Sequence, residues 1–228
     1  HLVARLRAGG RTVVGLDRTP VAHPDDVTAD LGDAESVRDL VVDVRPDRVY
    51  HLAGAAFEPR DSIGRSDVLR ATLDATASLA SALAFAGGRP RVLVAGSCSV
   101  YGVPVRPDGR VVEDDPIVPV LFYGFAKASQ EMLLSLYHRR GVIDLRVARI
   151  FNLSGPGEGQ GSVLGTAAFQ AAAGGPVRLG NLGAVRDFLD VRDAAVAFET
   201  IVERGDAGGV YNVGSGRGIA VRDRKSVV

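Results

Sequence analysis

Apolar runs of strand length alternate along this chain with longer segments of helical period, and no other feature narrows its fold as far. The alternation is the pattern of a mostly parallel sheet with helices on both faces. Strands are expected at Thr12–Leu16, Arg48–Leu52, Arg91–Ala95, Asp144–Ile150 and Val210–Val213. Helices are expected at Ala34–Val44, Val68–Phe85 and Phe122–Arg139, each with apolar residues three and four apart. After Ile150 the pattern changes: Asn152 to Gly165 is rich in glycine and serine and reads as a loop before a helix over Thr166–Ala173. Asp190-Val-Arg-Asp193 precedes an apolar run, with Asp190 placed as a helix cap.

The expected fold class is therefore α/β, a Rossmann-type doubly wound sheet with part of a small substrate-binding lobe. At 228 residues one such domain can bury a real core. Residues 1–150 read as the main domain, and 151–222 as a mixed segment adding the lobe and the last core elements. His1 to Gly10 already reads as the middle of an amphipathic helix, so the expectation is that the first strand and its turn are missing ahead of it. Residues 223–228 break the pattern and read as a non-native tail.

Lysine plus arginine equals aspartate plus glutamate at 27 each, so no broad field draws in nucleic acid or an anionic membrane, and the ligand is expected to be small. A single cysteine, Cys98, excludes a disulfide framework and a multi-cysteine metal site, which fits a reducing compartment. His51 lacks the neighbours of a metal ligand, and no metal is expected. No run approaches the ~20 apolar residues of a membrane span, and His1 to Ala8 is too short and polar for a secretory signal. A cytoplasmic location is expected.

The most informative pair is Tyr123 and Lys127, in Tyr-Gly-Phe-Ala-Lys at the start of an expected helix. Residues four apart share a helix face, so the ammonium is expected beside the phenol, favouring its ionised form. Such a tyrosine can exchange a proton with a substrate oxygen near neutral pH. Upstream, the apolar run Val92-Leu-Val-Ala-Gly enters a polar turn at Ser97, where open α/β sheets bind ligands, outside the carboxyl ends of their strands. A hydroxyl there either holds a reacting oxygen against Tyr123 or simply caps the strand. Asp17, at the end of the second strand expected for the complete fold, can accept hydrogen bonds from ribose hydroxyls or be a solvated turn residue.

At these residues the chain resembles the extended short-chain dehydrogenase/reductases, the NAD-dependent epimerase/dehydratase group. The resemblance runs through Leu16-Asp17, Ala29-Asp30-Leu31, His51-Leu-Ala-Gly54, Ser97 to Gly102, Tyr123 to Lys127, Arg149-Ile-Phe-Asn152 with Gly155-Pro-Gly157, Arg186-Asp-Phe-Leu-Asp and Val210 to Gly216. It implies an NAD or NADP cofactor, with Asp17 tilting towards NAD by repelling a 2′-phosphate and Arg18 pulling the other way. Asp17, Asp30, Leu31, Leu52, Ala53, Gly54, Tyr123 and Lys127 would contact that cofactor. Ser97 and Tyr123 would polarise a sugar carbonyl or hydroxyl, Lys127 would bind the ribose, and Asn152 and Arg186 would hold the diphosphate of a nucleotide sugar. For Arg186 the alternative is a salt bridge to Asp187 or Asp190.

Two departures from the family pattern matter. The glycine-rich pyrophosphate turn is not in the chain, so as it stands it is expected to bind dinucleotide poorly or not at all. Thr72 occupies a position where the family usually has asparagine. The 4,6-dehydratases of the group usually carry acidic residues just after the catalytic hydroxyl, where this chain has Cys98 and Ser99, so dehydration is disfavoured. The runs Arg149 to Gly157 and Gly180 to Asp193 are most similar to the GDP-4-dehydro-6-deoxy-mannose reductases, which make GDP-rhamnose. A 4-epimerase is the alternative within the family, and a dinucleotide-sensing protein the alternative outside catalysis. A homodimer through the helices Val68–Phe85 and Phe122–Arg139 is also implied.

Overall fold

The computed structural model describes residues 1–20, 23–56, 62–174 and 176–223. In chain order these form α1 (Leu2–Ala8), β1 (Leu16–Asp17), β2 (Val27–Thr28), α2 (Ala34–Val44), β3 (Arg48–His51), α3 (Ser62–Ala86) and β4 (Arg91–Ser97). A 3-10 turn at Cys98–Tyr101 leads on to α4 (Phe122–Arg139), β5 (Asp144–Ile150), β6 (Asn152–Ser154) and α5 (Val163–Ala172). The last elements are β7 (Val185–Asp190), α6 (Val191–Arg204), β8 (Val210–Val213) and β9 (Gly218–Ala220).

The main sheet has the order β3-β4-β5-β8, with every neighbouring pair parallel. Its two faces are separately filled because side chains alternate along each strand. Val92 and Val94 of β4 join Leu145 and Val147 of β5 in a core with Val37 and Val41 of α2, Leu79 and Leu83 of α3, and Leu134 of α4. Leu93 of β4 and Ala148 of β5 face the other way, into Leu2 and Leu6 of α1 and Phe198 and Val202 of α6. This is the expected α/β fold of Rossmann type, a parallel sheet covered on both sides.

Several boundaries differ from those read off the sequence. The expected strand Thr12–Leu16 is reduced to Leu16–Asp17, since among the described residues only these two find ladder partners, Val27 and Thr28. The third strand stops at His51, one residue before Leu52. The helix expected from Val68 to Phe85 starts six residues earlier, at Ser62. The loop expected over Asn152–Gly165 contains β6, which pairs with β7, and the helix after it begins at Val163 rather than Thr166. Asp190 does cap α6, accepting the Arg192 amide at 2.7 Å.

Contrary to the sequence expectation, residues Ser66–Ala86 of α3 are long and apolar enough to cross a membrane by length and composition. In the fold this segment supplies Leu79, Ala80, Ala82 and Leu83 to the core. Its apolar character is therefore used against the sheet.

Candidate active site

Ser97 is both the last residue of β4 and the cap of the following turn, its hydroxyl accepting the Ser99 amide at 3.2 Å. The N-terminus of α4 is laid against that turn, and Gly124 permits the approach. A β-carbon at Gly124 would stand 2.5 Å from the Ser99 carbonyl oxygen, well inside contact distance. The result is that Tyr123 reaches the strand mouth, where its phenol is hydrogen-bonded to the Ser97 side chain. A serine from a strand end and a tyrosine from a helix start thus meet on one side of the sheet.

Burial raises the Tyr123 pKa above its ordinary value; the Ser97 bond opposes the rise and nearby Cys98 adds to it. This corrects the expectation that Lys127 favours the ionised phenol. The Lys127 amine points elsewhere, donating to the Ala95 carbonyl at 2.8 Å and to Oε1 of Gln130 at 3.2 Å. Burial lowers Lys127 to about 8, with the charge of Glu131 acting against it.

Behind Lys127 lies a buried polar spine that the sequence reading did not identify. Nε2 of Gln130 donates to the Thr76 hydroxyl at 2.8 Å and lies 3.1 Å from Nε2 of His51, while Thr76 donates to the Thr72 carbonyl. Burial and the charge of Lys127 lower His51 to about 4, so the ring is neutral near pH 7. Thr72, the departure from the family pattern, is itself wholly buried and accepts the Ala55 amide at 3.3 Å.

The segment Leu52–Gly54 leaves the end of β3 exposed and passes over the Lys127 amine. A β-carbon placed on Gly54 would lie 3.4 Å from both Nζ of Lys127 and Oγ1 of Thr72. The missing side chain leaves a shallow cradle over an amine donor, which suits the close approach of a dinucleotide ribose. Asp17, Asp30 and Leu31 lie at or just beyond the β1–β2 strand pair, not on the elements that carry Ser97 and Tyr123. Asp17 is exposed and accepts the Thr19 amide at 2.9 Å and its hydroxyl at 2.8 Å, bonds that lower its pKa. Asp30 accepts the Gly32 amide at 2.8 Å, and Leu31 packs against the core.

Asn152 on β6 donates to the Asp187 carbonyl at 3.1 Å, tying β6 to β7. Arg186 on β7 is exposed, and its charge is felt at Cys98, whose thiol burial pushes up to about 11. The alternative partners for Arg186 are otherwise engaged. Asp187 accepts the Ser215 amide and hydroxyl at 2.8 and 2.7 Å and the Gly216 amide at 2.8 Å, and Asp190 pairs with Arg192 at 2.6 Å. The site therefore offers a neutral phenol, a hydroxyl bonded to it, a buried amine beside a backbone cradle, and an exposed guanidinium near the strand mouth.

The sequence profile of the NAD dependent epimerase/dehydratase family matches residues 1–214. The GDP-6-deoxy-D-mannose reductase of Pseudomonas aeruginosa is 32% identical to this chain over 98% of the chain and 73% of its own length. The dTDP-glucose 4,6-dehydratase of Streptomyces antibioticus is 30% identical over 98% of the chain and 69% of its own length. Among solved structures, that of RMD from Pseudomonas aeruginosa complexed with NADPH superposes with a TM-score of 0.80 at 29% identity, covering 97% of this chain and 77% of that one.

Proposed function

The chain belongs to the NAD dependent epimerase/dehydratase family, and from that premise we propose that it reduces C4 of a nucleotide-activated keto sugar, GDP-4-dehydro-6-deoxy-mannose to GDP-rhamnose. Its relatives include reductases, epimerases and dehydratases of nucleotide sugars, and it is an enzyme. The observation that carries the finer reading is the 32% identity to a GDP-6-deoxy-D-mannose reductase over 98% of the chain. The Ser97–Tyr123 hydrogen bond supplies the proton exchange that such a reduction needs.

A nicotinamide dinucleotide held by Leu52–Gly54, Lys127 and Asp17 would supply hydride chemistry at the sugar carbon. Either NAD or NADP is consistent with these residues: Asp17 favours the unphosphorylated ribose, and Arg18 can offset it. The chain's own part begins with Ser97, whose hydroxyl donates to the carbonyl oxygen and fixes it beside Tyr123. As C4 gains hydride and the carbonyl pair moves onto oxygen, Tyr123 gives that oxygen its proton, leaving alcohol and phenolate. Lys127, its amine held by the Ala95 carbonyl and Gln130, would bind the cofactor ribose. Arg186, beside the strand mouth, and Asn152 hold the diphosphate, a role suited to a planar guanidinium.

Dehydration of the sugar needs an acid and a base at the two positions after Ser97. Cys98 is held protonated, and Ser99 is no base, so the reading favours reduction. The protein expressed from the full gene, glycine-rich turn included, should oxidise NADH or NADPH when given GDP-4-keto-6-deoxy-mannose, followed by loss of nicotinamide absorbance. No oxidation of either cofactor would remove this substrate while leaving family membership intact.

The pH dependence follows from Lys127. Its ammonium is present below about 8 and lost as pH rises through that value. Since kcat/KM reports groups of the free enzyme, it should decline across that range. A profile flat through it would show that the charge on Lys127 is not needed.

A homodimer is the proposed assembly. Phe85 of α3 and Met132 of α4 are each 69% exposed, and Phe125 of α4 is exposed with them, an apolar surface on the two helices that would pair.

A further inference from the structure

Gln130 of α4 and Thr76 of α3 are wholly buried polar residues that the mechanism does not use. Burying an amide or a hydroxyl is costly unless each polar group finds a partner, and an apolar side chain would fill either place without that cost. Both do find partners, in an order that runs one way. The Thr76 hydroxyl gives its one proton to the Thr72 carbonyl, so towards Gln130 it can only accept. The end of the Gln130 amide that meets it at 2.8 Å must therefore be Nε2, which also lies 3.1 Å from the ring of His51. The carbonyl end, Oε1, is turned to the Lys127 amine at 3.2 Å. A flipped amide would set N–H groups against an ammonium and an oxygen against an acceptor.

A charged lysine has three N–H bonds on a stem with many rotamers. Among the described residues, the Ala95 carbonyl of β4 takes one of these bonds at 2.8 Å and Gln130 a second, which sets the rotation of the ammonium and leaves one bond for a ligand. Gly54 bears no side chain over that amine: a β-carbon there would lie 3.4 Å from Nζ. The next residue along α4, Glu131, is engaged elsewhere, pairing with Arg149 of β5 at 2.9 Å. Nζ thus takes its direction from one strand carbonyl and one side-chain carbonyl.

We infer that Gln130 is a positioning residue for the Lys127 amine: aimed by Thr76 and Thr72 of α3, its side-chain carbonyl holds the ammonium so that the remaining N–H is offered to the cradle at Gly54. The inference rests on the reading of Lys127 as the group that binds the cofactor ribose. Thr72 and Thr76 stand one helical turn apart, so the fixed backbone of α3 sets the Gln130 amide, and the amide in turn sets an amine on α4.

The chain's lysines are Lys127 and Lys225, which makes the test direct. In protein labelled with 13C-lysine and carrying Lys225→Arg, relaxation of the ε-methylene reports how firmly the Lys127 amine is held. The measurement is made at about pH 6, below the value of about 8 to which burial lowers Lys127, so that the ammonium persists. Gln130→Met keeps the reach of the side chain and removes the acceptor. The ε-methylene order parameter should fall by about 0.2, on a scale where ~0.85 is rigid and values below ~0.6 are flexible. Gln130→Glu returns an oxygen of the same reach and should restore the order. A role in packing alone would lower the urea midpoint of Gln130→Met and leave the lysine signal native, and that result overturns the inference. So does a signal in Gln130→Glu as loose as that in Gln130→Met. Should Gln130→Met fail to fold, Thr76→Val keeps the acceptor and removes its anchor, and native order at Lys127 in that variant also overturns the inference. No sugar or cofactor is used, so this result and the outcome of the reductase assay are independent.

Discussion

Tyr123→Phe is expected to lower turnover by about 10²- to 10⁴-fold, the usual contribution of a positioned general acid, while dinucleotide affinity stays close to that of the native protein. The separation follows from where the phenol oxygen lies. It is bonded to Ser97 at the strand mouth, whereas the cradle proposed for the cofactor is formed by Gly54 and by Lys127, whose amine bonds Ala95 and Gln130. Removing one oxygen leaves the ring, the helix start and the Gly124–Ser99 contact in place. Steady-state kinetics with cofactor titration by fluorescence would measure both quantities. Native turnover in the variant would assign the proton to another donor.

The second large effect is on stability. Arg149→Leu leaves the Glu131 carboxylate buried without its guanidinium, and breaking such a pair from one side typically costs about 3–5 kcal/mol. It also removes the bonds that hold Tyr101 and the Glu113 carbonyl to β5. Against a total margin of roughly 5–15 kcal/mol this is severe, so a large fall in the urea midpoint is expected. A midpoint within experimental error of native would show that solvent or another cation compensates Glu131. The double variant Glu131→Met/Arg149→Met should recover much of the loss, since no ion is then stranded.

The centre of the main sheet was legible in the sequence because β4 and β5 are mostly buried, β4 reading as a continuous apolar run. The β5 strand and the helix α4 were found to the residue. The small sheet β6-β7-β9 was not, for strands of three to six residues carrying Arg186, Asp187 and Asp190 show neither apolar continuity nor clean alternation. The first strand shrank because a ladder is a property of partners, and periodicity reports only the chain's own side.

Tyr123, Lys127 and Ser97 were readable from spacing and from the apolar run that ends at the serine. What spacing could not supply was direction: four residues on a helix place Lys127 on the same face as Tyr123, but the Ala95 carbonyl and Gln130 decide where its amine points. The Glu131–Arg149 pair was missed because a glutamate on a helix usually belongs to a solvated face. Two signals were present: an arginine inside the apolar stretch Val147 to Ile150, and a glutamate on the Tyr123–Lys127 stripe.

The central claim is hydride delivery to a sugar carbon with Tyr123 supplying the proton, and isotope transfer tests it most directly. With NADPH or NADH carrying deuterium at both C4 positions of the nicotinamide, the product from GDP-4-keto-6-deoxy-mannose should carry one deuterium at the sugar C4. Product with only hydrogen at that carbon, or no product with either cofactor, would contradict it.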